Sequence, residues 1–511
     1  MGVRNVYYPN IQRETLDKER NLAIEGFGHR LYDSQTVYEY LLEFLLVFIS
    51  PKGWGEKHIG SVEPFKFPDV RSMDEWTDKL YYEPVARIGL KRFVFFERSK
   101  QEHRFPIDKW AHAETLHALE SNIEESYDLS KRDVLFLLQD LFYGFNAVLK
   151  NRAWFAQSLL PITPELTFVE AMGNAKARKQ LTKEAGFRET DGAFQFQGHY
   201  FLARGGEVYF LHLLRGLLER PDLKERIEQG LVRLIKESFP QFSWLAQWIE
   251  QNWLAHAGAE KQITVRKTCE WIPEGYAERA VLSCEEMVNI LEAELPELQK
   301  IDLLAKGIVM QVLRMMHEQA AKLAGAATPP RWITQVNSKP GTNVRKYSIE
   351  SYQACEEDFA AALDRLAGQE TSLSPKGSPL FGDVRRQALK KSAQHTSRLF
   401  RRLSKEIGLV VPPKGAQMRF ALNEDLVKFL VTSIIRPGKK MLLSSFLKEL
   451  NRRYGFVIGP DELSAQVRGL RAGDLDDNQE KFQELLKQCG FLRDLSDATS
   501  IVENPFGGMA K

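Results

Sequence analysis

Apolar residues recur along most of the chain at the i, i+3, i+4, i+7 spacing that is typical of helices buried on one side. The densest run, Val37 to Ile49, is apolar on almost every side, which predicts a helix inside the core. Two further runs, Lys131 to Lys150 and Pro296 to Leu323, each carry one apolar stripe, and Gly325 is placed to end the second. We therefore expect a mainly α fold, α+β with helix in large excess.

Strand signals are local. Residues Leu90 to Phe96 predict one short strand, and Ala193 to Phe210 predict a β-hairpin whose turn is Gly205-Gly206. Arg204 and Glu207 flank that turn. They are interpreted either as a cross-strand pair or as a loop that clasps a partner or an anion with Arg204 and backbone N–H groups.

Two stretches rich in Pro, Gly, Asn and Ser interrupt the helical pattern, Gly325 to Lys346 and Gly368 to Gly382, and the second is the better linker. The predicted organisation is a multidomain helical protein. Its parts are an N-terminal helical domain 1–160, an α+β segment 161–265 with a β-hairpin near 193–210, a helical domain 266–367, a linker 368–382, and a C-terminal region 383–511 with a basic helix and a winged helix.

The segment after the linker, Asp383 to Gly408, predicts one amphipathic helix. Its inward face holds Leu389, Ala393, Thr396, Leu399, Phe400, Leu403 and Ile407. Eight cations and no acidic residue lie between positions 385 and 405, and all but the first fall on the outward face. They are Arg385, Arg386, Lys390, Lys391, Arg398, Arg401, Arg402 and Lys405. Because like charges repel at this spacing, a nucleic-acid phosphate backbone would relieve the strain. A solvated surface, or one that meets an acidic protein, is the alternative.

The remaining C-terminal pattern predicts a winged helix. Helices are expected after Asn423 and after Ser444 or Ser445, over Asp461 to Gly469 and over Asn478 to Cys489, and a hairpin wing is expected over Phe491 to Glu503. Lys481 and Lys487 are the candidate DNA contacts of the last helix, but Glu480 and Glu484 balance them. Since winged helices also dock on proteins, both uses stay open.

No catalytic signature is found. There is no P-loop, dinucleotide fingerprint or nucleophile elbow. His112 and His117 are spaced differently from a zinc-helix pair, and the carboxylates beside His117 lack the second Glu-x-x-His helix that a di-iron centre needs. Asp222-Leu-Lys224 matches part of a nuclease motif but starts a predicted helix. We therefore predict no catalytic residue, no metal and no cofactor, although an active site assembled across domains is the enzyme alternative.

Composition and charge bear on the partners and the compartment of the protein. The 511 residues carry a net charge of +2, which by itself favours no partner. Four widely spaced cysteines are typical of a reducing compartment, where thiols act as small buried apolar groups. The N-terminus lacks the apolar core of a signal peptide, and the longest apolar run is too short to cross a bilayer. A cytoplasmic protein without membrane contact is expected.

The last quarter of the chain, with RRLSKEIGLVVPP, NRRYGFVIGP and GFLRDLSDATSIVENPF, resembles bacterial proteins encoded in anti-phage defence islands. The resemblance implies a non-catalytic partner of helicase, ATPase or nuclease subunits. We therefore expect a DNA-associated subunit of a bacterial multiprotein complex, in which the basic helix holds the phosphate backbone and the winged helix positions DNA or a partner. The alternative is a protein–protein adaptor that makes no nucleic-acid contact.

Overall fold

The structure is a computed structural model. It describes residues 7–8, 20–28, 33–54, 59–69, 80–98, 106–124, 128–148, 157–168, 205–256, 264, 266–269, 272–336, 342–371, 377–462, 471–496 and 499–507. Helices dominate these ranges and the strands are few and short, which confirms the predicted mainly α fold.

The helices of the first half are α1 (Leu22–Phe27), α2 (Val37–Ile49), α3 (Ile88–Phe95), α4 (Pro106–Glu120), α5 (Lys131–Tyr143), α6 (Gly205–Glu219), α7 (Asp222–Val232) and α8 (Pro240–His256). Those of the second half are α9 (Ala280–Glu292), α10 (Glu297–Ala324), α11 (Asn343–Ala367), α12 (Gly382–His395), α13 (Ser397–Glu406), α14 (Glu424–Ile434), α15 (Leu443–Tyr454) and α16 (Ala472–Gln488). A π-helical turn, Arg233–Glu237, and 3-10 turns at Glu274–Arg279 and Pro460–Glu462 connect them.

The strands are β1 (Tyr7–Tyr8), β2 (Lys52–Trp54), β3 (Ile59–Val62), β4 (Leu80–Tyr82), β5 (Lys267–Cys269), β6 (Ile272–Pro273), β7 (Trp332–Ile333), β8 (Val410–Val411), β9 (Arg419–Phe420), β10 (Lys440–Leu442), β11 (Phe456–Val457), β12 (Leu492–Ser496) and β13 (Thr499–Glu503). An antiparallel sheet has the order β3-β2-β4-β5, and another has the order β10-β13-β12. The pairs β1–β6 and β8–β9 are antiparallel, whereas β7–β11 is parallel.

Most buried apolar side chains join one cluster that reaches from Leu22 to Val502, and a small second cluster holds Ile333, Val344, Val457 and Leu475. Helix α2 lies at its centre, as its apolar pattern predicts, and packs against α6 and α10. Helix α10 ends at Gly325, whose φ of 95° supplies the left-handed conformation expected of a helix-ending glycine. Three of the four cysteines follow the expectation as well, since Cys269, Cys284 and Cys355 are buried thiols, whereas Cys489 is half-buried.

The predicted turn at Gly205-Gly206 is wrong, because both glycines lie in the first turn of α6. They let α6 approach α2 closely. A Cβ atom on Gly206 would lie 2.3 Å from the Phe44 nitrogen. The Gly206 N–H donates to the buried Glu43 carboxylate at 2.8 Å, so a side chain far away in sequence caps this helix. Residues 193–204, the rest of the predicted hairpin, lie outside the described ranges.

The predicted strand over 90–96 is also wrong, because this segment forms α3. Glu250 of α8 explains the difference. Its buried carboxylate accepts the Leu90 N–H at 2.9 Å and satisfies one of the orphan donors at the helix N-terminus. Gln139 of α5 then donates to the Phe93 carbonyl at 2.8 Å. Tertiary contacts therefore override the β propensity of Phe93-Val-Phe-Phe.

The segment 325–346, predicted as a break, contains β7, which pairs with β11 of the C-terminal region. The Trp332 ring stacks on Phe420 with centroids 4.9 Å apart and donates its indole N–H to His317 Nδ1 at 2.7 Å. His317 Nε2 in turn faces Asp358 at 3.0 Å. This stretch therefore packs α10 and α11 against residues near the C-terminus, while the predicted domain boundaries stay predictions.

The C-terminal elements follow the predicted order. Asn423 caps α14 with its side chain 2.8 Å from the Leu426 nitrogen, and the 491–503 hairpin forms as β12 and β13. Helix α16 begins six residues before the expected start at Asn478. Of the extra helix expected over 461–469, the structure describes only a 3-10 turn, and residues 463–470 lie outside the described ranges.

Candidate nucleic-acid interface

The basic segment forms two helices, α12 and α13, instead of the single predicted helix. The break falls at Thr396, whose buried hydroxyl donates to the Ser392 carbonyl at 3.0 Å. The inward residues from Thr396 onwards are buried as predicted, whereas Leu389 and Ala393 are half-buried. One apolar face therefore anchors both helices and leaves their cations on the outside.

Four of the eight cations are paired with carboxylates. Helix α11 neutralises two of them, since Asp364 lies 2.8 Å from Arg385 and Glu356 lies 2.5 Å from Arg401. Arg398 lies 4.0 Å from Asp33. This pairing corrects the expectation of a uniformly positive face, because residues distant in sequence supply the missing negative charge.

The fourth ion pair, that of Arg386, is exposed to solvent and lies within one helix. Arg386 lies 3.2 Å from Asp383 of its own helix, and both side chains are more than four-fifths exposed. Such a pair contributes little because water screens both charges, so it can give way to another anion. Arg386 therefore stays available to a ligand.

The other four cations form no ion pair with a described residue. Lys390 and Lys391 are exposed on α12. On α13, Arg402 is half-buried one turn before Glu406, and Lys405 donates to the Pro413 carbonyl at 3.2 Å. The positive charge that the fold leaves open on these helices is thus concentrated on α12, at Arg386, Lys390 and Lys391.

The β8–β9 hairpin adds cations that sequence reasoning missed. Arg419 lies on β9, which packs against α11, and Arg345 lies in the first turn of that helix. Lys414 is exposed at the hairpin tip. The available signal was the stretch from Ile407 to Leu422, which contains two cations and no acidic residue.

Lys481 and Lys487 are neutralised on the surface of the C-terminal unit. Lys481 lies 2.7 Å from Glu484, and Lys487 lies 2.6 Å from Asp494. Five carboxylates and two lysines make α16 acidic. The helix also packs on the body of the protein, because its buried Asn478 donates to the carbonyls of Thr334 and Ile458 at 3.0 and 2.9 Å. This arrangement disfavours α16 as a helix that enters a DNA groove.

The predicted partner or anion loop is corrected at Glu207. This residue lies inside α6, is buried, and accepts the Tyr82 hydroxyl proton. Arg204 lies outside the described residues. Glu207 therefore belongs neither to a cross-strand pair nor to an exposed loop that clasps a partner or an anion.

The residues considered above for nuclease or metal chemistry make ordinary structural contacts. Asp222 begins α7, as predicted, and pairs with Arg220 at 2.7 Å. His112 stacks on Phe96, and Glu114 of the same helix pairs with His256. Within the described ranges, no three His, Cys, Asp or Glu side chains form a group that could hold a metal ion.

Buried His212 is satisfied by the Tyr276 carbonyl and the Ser283 hydroxyl, each 2.7 Å away. Burial lowers the pKa of His212 to about 3, although the Tyr276 carbonyl opposes this shift. The imidazole is therefore neutral and acts as part of the core.

No protein-family model, curated protein or solved structure matches this chain. Among the described helices, none combines the length and the apolar content that crossing a bilayer requires. The assignment of a function therefore depends on the surface of the molecule.

Proposed function

We propose that the protein is a non-catalytic, DNA-associated subunit of a bacterial multiprotein complex, acting in anti-phage defence beside helicase, ATPase or nuclease subunits. It holds the phosphate backbone through the exposed face of α12. The observation that supports this proposal is the set of exposed cations on α12, Arg386, Lys390 and Lys391, none of which pairs with a described carboxylate from another element.

The physical basis is counterion release. A cation that neutralises a backbone phosphate releases a condensed counterion, and this makes binding independent of sequence and sensitive to salt. Three contacts correspond to a slope of about −3 for log affinity against log salt concentration. The ion pairs of Arg385 and Arg401 with α11 reduce the number of contacts that the eight cations could otherwise make.

The C-terminal connectivity supports a winged helix. The order is α14, β10, α15, α16, β12, β13, and the sheet order is β10-β13-β12, so the last strand lies between the other two. Three helices with such a hairpin are typical of winged helix-turn-helix domains. Because α16 is acidic and packed on the body, we assign this unit to positioning the protein in its complex, and we assign the DNA contact to α12.

The test is duplex DNA binding by fluorescence anisotropy at several salt concentrations. The variant Arg386→Glu, Lys390→Glu, Lys391→Glu should lose at least about tenfold in affinity at low salt and most of the salt dependence. Reversing Arg398, Arg401 and Arg402 is a poorer test because Arg398 and Arg401 already pair with Asp33 and Glu356.

The matched control is Arg452→Glu, Lys481→Glu, Arg493→Glu. It changes the net charge by the same amount at positions that already pair with Glu449, Glu484 and Glu503. Full binding by the α12 variant, or an equal loss in the control, contradicts the proposal.

A protein–protein adaptor is the second candidate, and the acidic α16 favours it. In that case α12 would face an acidic protein. Wild-type protein that co-purifies with a partner subunit but does not bind duplex DNA at low salt would support the adaptor.

A further inference from the structure

Two arginines lie on the elements that pack together where α11 meets β9. Arg345 Nη2 lies 3.4 Å from Gln417 Oε1, and Arg419 Nε lies 2.5 Å from Gln335 Oε1. Gln417, which contacts Arg345, lies two residues before Arg419 in the same hairpin. Both arginines are partly exposed and can therefore reach a ligand from solvent.

Neither arginine forms an ion pair with a described carboxylate, and both hydrogen-bond partners are neutral amides. The residues one turn further along α11, Ser348 and Ile349, carry no charge. Burial lowers the pKa of Arg419, and the positive charge of Arg345 lowers it further. The positive charge of Arg345 therefore acts on Arg419, and neither arginine forms an ion pair with a described carboxylate.

The surroundings increase this positive potential. Arg345 lies in the first turn of the 25-residue helix α11, where the helix dipole is positive and a cation is unfavourable. Lys405 donates to the Pro413 carbonyl of the same hairpin, and Lys414 is exposed at its tip. Lys405 and Arg345 therefore both contact the hairpin loop that carries Lys414.

Gln417 has a φ of 60°, in the left-handed region that residues other than glycine rarely adopt. Strained backbone of this kind persists when the surrounding structure requires it, and it is found most often at ligand sites. Here it accompanies the contact between the Gln417 amide and the Arg345 guanidinium.

We propose that Arg345 and Arg419 form a binding site for a phosphate group. Guanidinium groups present forked N–H donors that match phosphate oxygens, and two of them facing one ligand bind it more strongly than a lysine pair would. Lys405 and Lys414 add positive charge to the same hairpin loop. The phosphate belongs either to a free ion or small molecule, or to a nucleic-acid backbone.

The first arm of the test measures the urea midpoint of unfolding with inorganic phosphate against chloride at equal ionic strength. At a phosphate concentration of ten times the Kd, the ratio of folded to unfolded protein should rise roughly 11-fold in the wild type. The variant Arg345→Gln, Arg419→Gln should lose this rise. Without phosphate the variant should unfold at the same urea midpoint as the wild type, because removing both arginines also removes the repulsion between their charges.

The matched control is Arg452→Gln, Arg493→Gln, which removes two charges at exposed arginines that pair with Glu449 and Glu503. The second arm measures duplex DNA affinity of the same proteins. A phosphate-dependent rise that only the Arg345/Arg419 variant loses supports a site for free phosphate. A loss of duplex affinity of about tenfold in that variant alone, without a phosphate effect, supports a backbone contact.

If the variant and its control behave alike in both arms, the site does not exist. This outcome is separate from a failure of the proposed function, because the α12 variant reports on DNA binding without changing Arg345 or Arg419. A phosphate effect in a protein that does not bind DNA would overturn the proposed function and leave the phosphate site standing.

Discussion

Arg453 joins the C-terminal unit to the helical body. Its side chain is 7% exposed and lies 3.0 Å from Glu285, 3.3 Å from Glu286 and 3.0 Å from Glu449. Burial by itself would lower the pKa of Arg453, but Glu286 and the other carboxylates raise it above its ordinary value. Since Glu285 and Glu286 belong to α9, this cluster connects α9 with α15.

The variant Arg453→Met keeps most of the side-chain volume and removes the charge. Glu286, which is 4% exposed, would then lose its cationic partner and keep neutral donors such as the Gln311 amide at 2.7 Å. Removing one partner of a buried ion pair costs about 3–5 kcal/mol because the other charge stays buried without compensation. We expect a loss of this size in the stability of the C-terminal unit.

Arg452→Met is the matched control, because Arg452 is 53% exposed and pairs only with Glu449 among the described carboxylates. An exposed pair of this kind is worth at most about 1 kcal/mol. Native-state hydrogen exchange of peptides from α15 and α9 measures both variants without assuming two-state unfolding of the whole chain. Equal protection in the two variants would show that the buried cluster does not stabilise this junction.

Two further predictions concern the core. Gly206→Ala should destabilise the protein by about 2–3 kcal/mol in urea unfolding, because its Cβ would lie 2.3 Å from α2 backbone atoms. Gly473→Ala, which meets nothing within 4 Å, should be neutral or stabilising by up to about 1 kcal/mol, and equal effects would refute the close packing of α2 and α6. Burial lowers the pKa of His212 from 6.5 to about 3. As the pH falls from 6.5 towards 3, the unfolded chain binds a proton at this histidine that the folded protein does not, so the free energy of unfolding decreases. The wild type should therefore lose about 2 kcal/mol more than His212→Gln between pH 6.5 and 5, and parallel pH profiles would contradict a buried neutral imidazole.

Helices that carry their own signals could be predicted from the sequence. The apolar period of α2, the glycine that ends α10 and the Asn423 cap of α14 all lie within or next to the helix that they define. The order of the C-terminal helices and of the hairpin over 491–503 was predictable for the same reason. These signals act over a few residues, so no knowledge of the tertiary structure is needed to use them.

Two elements and the charge of the surface depended on contacts between distant residues. Glu250 and Glu43 satisfy the N-termini of α3 and α6 from positions about 160 residues away in sequence, and this converts a predicted strand and a predicted turn into helices. Helix α11 likewise pairs with Arg385 and Arg401 and carries Arg345, which contacts Gln417 two residues before Arg419. The sequence shows where each charged residue lies along the chain. Which of these residues form ion pairs depends on how the helices pack, because the two charges must lie within a few ångströms of each other. The sequence by itself therefore determined the helical scaffold and the presence of surplus cations, and only the tertiary structure decided which cations stay open to a ligand.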